Sequence, residues 1–236
     1  MKRKFSSLAL LVAASLVGGC GGGEPQEEAP AQEPAPAEQA VPADSPLLTP
    51  ANLIETAPET YQVRFETSVG SIVVQVNRAW SPNGADRFYN LVKNGYYDDT
   101  RFYRVVEGFM AQFGFKGVPA IDQAWRDVNF PDDPFTQSNR RGTITFAHAG
   151  TDTRITQVFF NFKDNTHLDE SGFTPFGEVV EGLDVMDKLY AGYGELPPAG
   201  NGPDYAEAWV QGNKYLDENF PEMTKVNTAT LVEAGA

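Results

Sequence analysis

The chain has 236 residues, enough for one sizeable folded domain with additions. Its 32 acidic and 18 basic side chains leave a net charge of −14, which argues against a basic surface for nucleic acid or anionic lipid. A lone cysteine, Cys20, excludes an internal disulfide, and two histidines, His148 and His167, without acidic ligands at motif spacing make no convincing metal site.

Lys2, Arg3 and Lys4 form a charged leader before a short apolar run, Phe5 to Val17. The run is too short to span a bilayer comfortably. It ends in Leu16-Val17-Gly18-Gly19-Cys20, which resembles a bacterial lipobox. The plain alternative is an incidental cysteine at an ordinary cleavage site. The expectation is a signal peptide over residues 1–19 and an acylated Cys20, each buried CH₂ contributing about 0.8 kcal/mol to an anchor. Gly21, rather than Asp, follows the cysteine, and by resemblance to sorted lipoproteins this favours the periplasmic face of an outer membrane where the cell has one. Residues 20–59 are rich in Pro, Ala and Glu. From Gly21 to Glu59 there are eight prolines and eight acids but no Lys or Arg, too polar a stretch to form a core. It reads as a disordered tether; a partner-binding polyproline tail is the alternative.

A folded domain is expected over residues 60–236. Tyr61 to Thr67 alternates as a strand, Ser68 to Ser71 can turn, and Ile72 to Val76 completes a hairpin. Ser81-Pro82 supplies an N-cap and a first-turn proline for a helix carrying Phe88, Leu91 and Val92, which Asn94-Gly95 ends. Two short β segments, Phe102–Val106 and Met110–Phe113, flank a Glu107-Gly108 turn. Alternation puts Phe102, Arg104 and Val106 on one face. Gly117 to Arg141 reads as a long irregular loop with a helical turn near Ala124-Trp125. Strands follow at Gly142–Ala147, Thr156–Phe162 and Pro175–Val180. Gly182 to Tyr190 is a short amphipathic helix, with Leu183, Met186, Leu189 and Tyr190 on one face. A Gly/Pro loop, Ala191 to Pro203, precedes a helix over Tyr205 to Phe220 that Gly212 weakens, and Lys225 to Val232 is a last strand.

Other chemistries find no support. The only cysteine is taken for lipidation, no serine sits in a nucleophile elbow, and no glycine-rich loop joins a strand to a helix. What stands out is Arg104 in an apolar stretch, since a buried guanidinium without partners is costly. Its plain reading is a structural arginine that pairs with an acid or reaches solvent. The alternative is one well-placed donor beside an apolar pocket.

The run Phe102-Tyr103-Arg104 through Gly108-Phe109-Met110-Ala111-Gln112 resembles the motif of the cyclophilin-type peptidyl-prolyl cis-trans isomerases. Two further blocks agree in order and spacing: Thr145 to Gly150 with Thr156-Gln157-Val158-Phe159-Phe160, and Leu168-Asp169 with Phe173 to Val179. The similarity extends over about residues 60–233. It implies a mostly β fold, a closed antiparallel barrel with two or three helices. It implies Arg104 as the catalytic residue, and Phe109, Met110, Phe159 and Leu168 as the pocket for a proline ring. Gln112 would contact the substrate backbone; Ala147, His148 and Gln157 would line the peptide groove. His167 and Phe173 stand at site positions where the family often has Trp and His, and His148 stands where Asn is usual. The first of these implies weak cyclosporin affinity. Glu107, Phe113 and Tyr103 also depart from the usual Pro, Gly and His. The activity so implied is Xaa-Pro isomerisation in cell-envelope or exported proteins, with no cofactor or metal. Proline-containing polypeptides and, through the lipid, a membrane would be the partners; no nucleic acid is expected, and the protein should be a monomer. A catalytically weak module or chaperone that holds proline segments is the alternative.

Overall fold

In the computed structural model, which describes residues 41–232, nine strands form one sheet in which every paired neighbour is antiparallel. They are β1 (Thr60–Thr67), β2 (Gly70–Asn77), β3 (Thr100–Arg101), β4 (Arg104–Val106), β5 (Met110–Phe113), β6 (Thr143–Phe146), β7 (Val158–Asn161), β8 (Pro175–Glu181) and β9 (Lys225–Val232). Their order is β3-β9-β1-β2-β8-β6-β7-β5-β4. The two ends of that order are consecutive in the chain. Thr100 and Arg101 pair with β9, and Arg104 to Val106 pair with β5, so the segment 100–106 serves both edges of the curled sheet.

This change of partner alters the expected alternation. Phe102 and Val105 both belong to the main core, whereas Tyr103 packs in a second cluster and Arg104 is half-buried. Arg104 therefore does not share a face with Phe102. The strict two-residue period fails where the segment leaves β9 for β5.

Inward positions of the sheet build an aromatic core. The Phe65 ring lies 5.6 Å from that of Phe113 and 6.0 Å from that of Phe160, both edge-on. Phe113, the residue after Gln112, is wholly buried there and does not face the groove. Helix α1 (Pro82–Lys93) covers one end with Phe88 and Leu91. Its expected cap is replaced. Asp133 accepts from the first-turn amides of Asn83 and Gly84 at 2.9 and 3.0 Å, and the Ser81 hydroxyl donates to the same carboxylate. Buried Arg154 pairs with Asp133 at 3.0 Å and ties the cap to the sheet side of the loop.

Five α-helices and three 3₁₀ turns occur among the described residues, more than the two or three helices expected. Helix α2 (Pro119–Trp125) extends the helical turn foreseen in the long loop. Helix α3 (Leu183–Met186) is shorter than Gly182–Tyr190, and Leu183 is exposed while Met186 is buried. The span Tyr205–Phe220 divides into α4 (Tyr205–Gln211) and α5 (Asn213–Asn219). Gly212 breaks it with φ +62°, a value glycine adopts readily, and a Cβ there would stand 2.2 Å from the Gly117 oxygen. The Asn213 amide instead donates to that oxygen at 2.8 Å.

Residues 41–59, assigned to the tether from composition, are ordered on the domain. Two 3₁₀ turns, Pro46–Leu48 and Pro50–Asn52, bring buried Leu47 into the core cluster, and the Trp125 indole donates to the Leu47 carbonyl at 2.9 Å. A few apolar residues with matched hydrogen-bond partners suffice where composition alone suggested none. Cys20, the expected signal peptide and the rest of the expected tether lie outside the described residues.

Candidate active site

Sheet register sets the outer face of β4, β5 and β7. Arg104 pairs with Gln112, and Gln112 with Phe159, so these three side chains stand in one cross-strand row. Met110, two residues before Gln112, shares its face. Phe109 precedes β5 at the Glu107-Gly108 turn, where Gly108 adopts φ +63°. A 3₁₀ turn, Thr166–Ser171, carries Leu168 to the same place. Asp169 holds this turn by accepting from the Asn139 amide at 2.9 Å and its Nδ2 at 2.8 Å, and Asn139 Nδ2 also donates to the Phe173 carbonyl at 2.6 Å.

The result is a cavity of about 230 Å³ lined by Arg104, Phe109, Met110, Gln112, Ala147, His148, Phe159, Leu168 and Phe173. Its walls are mostly apolar, with Arg104, Gln112 and His148 as polar groups, which suits a ring-sized apolar ligand needing one oriented donor. His148 and Phe173 stack with centroids 4.0 Å apart. Burial holds the His148 imidazole below its ordinary pKa of 6.5. His167 is not in the lining; it stacks behind Phe109, 6.0 Å between centroids. Gln157 lies in an adjoining cavity of about 380 Å³ that shares Arg104, Gln112, Ala147 and His148 and adds Ile155, Leu196 and Tyr205.

A polar chain joins the two. Arg104 Nη1 donates to Gln112 Oε1 at 2.9 Å, Gln112 Nε2 lies 3.4 Å from Gln157 Oε1, and Gln157 Nε2 donates to the Tyr205 hydroxyl at 2.8 Å. Because Arg104 can only donate, the Gln112 oxygen must face it, and this fixes the amide orientation. Tyr103, buried, donates to Gln157 Oε1 at 2.8 Å. On its other side, Arg104 meets Glu195, with Nε and Nη2 each 2.6 Å from a carboxylate oxygen.

Tyr103, Glu195, Leu196 and Tyr205 were not foreseen as site residues. Only Tyr103 had a local signal, as an aromatic beside Arg104 in a β-rich run. The other three come from the segment after Ala191, which packs its own small core: Leu196, Trp209 and Phe220 gather with buried Tyr103, Phe115 and Leu216.

Residues 62–201 match the family model "Cyclophilin type peptidyl-prolyl cis-trans isomerase/CLD". A peptidyl-prolyl cis-trans isomerase-like 2 of Gibberella zeae is 34% identical over 72% of this chain, but the match spans only 29% of that relative's length. A peptidyl-prolyl cis-trans isomerase of Helicobacter pylori is 32% identical over 58% of this chain and 85% of its own. The crystal structure of a cyclophilin type peptidyl-prolyl cis-trans isomerase of Cryptosporidium parvum shares the fold, with TM-score 0.54 and 18% identity over 75% of this chain and 99% of that one.

Proposed function

Because the chain belongs to the cyclophilin-type peptidyl-prolyl cis-trans isomerase family, we propose that it accelerates Xaa-Pro isomerisation in cell-envelope or exported proteins, with Arg104 as the transition-state donor. The observation that carries this reading is the Arg104 guanidinium on the wall of the apolar cavity formed by Phe109, Met110, Phe159 and Leu168. Rotation about a peptide bond must break amide resonance, at a cost of about 18–20 kcal/mol. The twisted amide returns a lone pair to the prolyl nitrogen. A donor at that nitrogen interacts more strongly with the twisted state than with the planar one, which is the condition for catalysis. One charged hydrogen bond contributes about 1.5–3 kcal/mol, or roughly 10- to 150-fold. Exclusion of water from the cavity would raise that figure. The apolar walls seat the proline ring, and Gln112 Nε2, with one hydrogen directed to Gln157 Oε1, keeps its second for the substrate backbone.

The test is NMR exchange on a short Xaa-Pro peptide with the chain and its Arg104→Ala variant. Acceleration by the wild type and a loss on the order of 10²-fold in the variant are expected. The rival reading, a module that only holds proline segments, draws on one observation: Glu195 already occupies two N–H groups of Arg104. It predicts peptide binding with exchange at the uncatalysed rate.

The setting is proposed from the sequence. Leu16 to Cys20 supports acylation of Cys20 and attachment to an envelope membrane, the outer one in a cell that has two. Cys20→Ser should move the protein from the membrane to the soluble fraction; a variant that still sediments with membranes would remove the anchor from this account.

A further inference from the structure

Glu195 reaches Arg104 across 91 residues of chain. Arg104 Nε and Nη2 donate to its two oxygens, and Nη1 donates to Gln112, so three of five N–H donors are engaged. One hydrogen on each Nη is left over. Glu195 lines neither cavity, although Arg104 lines both. The carboxylate grips the guanidinium from outside the cavities and leaves the proline cavity open.

The loop around Glu195 is built to present it. The Leu196 amide donates to Glu195 Oε1 at 2.8 Å, and the Gly202 amide donates to the Glu195 carbonyl at 2.8 Å. A Cβ on Gly200 would stand 2.3 Å from that carbonyl oxygen and 2.8 Å from the Glu195 Cβ, so the return strand of the loop can lie this close only without a side chain. Next in sequence, Leu196 packs into the cluster with Tyr103 and Phe115. The grip on Arg104 is therefore anchored to the body of the domain. The bidentate fork gives it direction as well as strength.

We propose that Glu195 is a positioning residue for the isomerase reaction, holding the Arg104 guanidinium at the wall of the proline cavity before substrate arrives. The inference rests on the isomerase reading of the same site. An arginine side chain left to itself samples many rotamers and must be ordered in each turnover. Glu195 and Gln112 together remove that freedom in the free enzyme, and a donor fixed in advance needs no reorganisation as the amide twists. Glu195 acts through Arg104 and need not touch the substrate.

The experiment compares the full chain with Glu195→Ala and Glu195→Gln, the second keeping side-chain size should the first fail to fold. Exchange is measured at saturating Xaa-Pro peptide, affinity by titration, and the Arg104 Nε–H resonance reports the pairing. Loss of the protected Nε–H signal, a fall in saturated exchange of about tenfold and affinity within about twofold are expected. Glu195→Asp should recover part of the rate. Exchange equal to or faster than wild type in a folded Glu195→Ala chain that has lost the Nε–H signal would overturn the proposal and make Glu195 a bystander or a brake. An equal loss of rate and affinity would mark it as a structural or binding residue, and would overturn it too. If the wild type itself fails to accelerate exchange, the isomerase reading falls first, and the Nε–H signal still shows whether the pair forms.

Discussion

His148 and Phe173 are two positions where the sequence resemblance implies other residues, and the fold places them face to face as one stacked pair. Neither substitution read alone suggests this, because 25 residues separate them (173 − 148). Their contact has a consequence for pH. Burial lowers the imidazole pKa below 6.5, so His148 is neutral at pH 7. A proton there would place a second cation beside Arg104 on an apolar wall. Peptide affinity should therefore be constant from pH 8 to about 6.5 and weaken as His148 charges at lower pH. The stability sign agrees: the unfolded chain takes the proton first, so stability is fully present above about pH 6.5 and is lost as pH falls toward the folded value. His148→Asn should flatten the acid limb of a binding titration followed by NMR; an unchanged limb in that variant would assign the effect elsewhere. Residues such as Phe109, Met110, Gln112 and Phe159 were legible because the short runs that carry them resemble the cyclophilin motif. Glu195 was not, since nothing near it in sequence marks a partner for Arg104.

Elements with an unbroken period were the easiest to read. The expected Lys225–Val232 strand is β9, and the first hairpin ends its first strand at Thr67 as expected and runs one or two residues beyond its other expected ends. Misreadings gather where an element depends on a distant partner. Ser81 has the composition of an N-cap, yet it donates its hydroxyl to Asp133, and the aspartate takes the helix amides. An ionised carboxylate meets the positive end of α1 more strongly than a hydroxyl can, and Arg154 on its other side offsets the cost of burying that charge. The same logic explains the segment 100–106. Its alternation holds within β4, where buried Val105 stands between half-buried Arg104 and Val106, and fails between β3 and β4 because the hydrogen-bonding partner changes. Gly212 was recognised as a weak point of a helix. Its positive φ and its approach to Gly117 turn weakness into a break, and that break lets α5 reach Asp99 through Asn213. Local propensity proposes such elements, and tertiary contacts decide where they end.

At the scale of the whole molecule, two segments are added to the curled sheet at different places. The residues after Ala191 bring Glu195, Leu196 and Tyr205 to the groove and share a small core with Tyr103 and Phe115. Residues 41–59 run past α1 and α2 with no contribution to the lining of either cavity. Their contacts are specific all the same. Besides Leu47 and its carbonyl, Glu55 exchanges two hydrogen bonds with buried Asn90, at 3.0 and 2.7 Å, and the Ala57 amide donates to Asp86 at 2.9 Å. Composition hid this, because a proline-rich strap and a proline-rich tether look alike until a few apolar residues find a site. Burying Leu47 contributes about 1.5–3 kcal/mol, and each hydrogen bond about 0.5–1.5 kcal/mol; ordering the strap offsets part of the sum. A chain starting at residue 60 should therefore be less stable than one starting at residue 41 by about 2–4 kcal/mol. Urea unfolding of the two would measure it, and matching midpoints would mean that the strap merely rests on the domain. With saturating peptide, the rate of Xaa-Pro exchange should be the same for both below the unfolding transition, since the strap touches α1 and α2 and leaves the Arg104 wall alone.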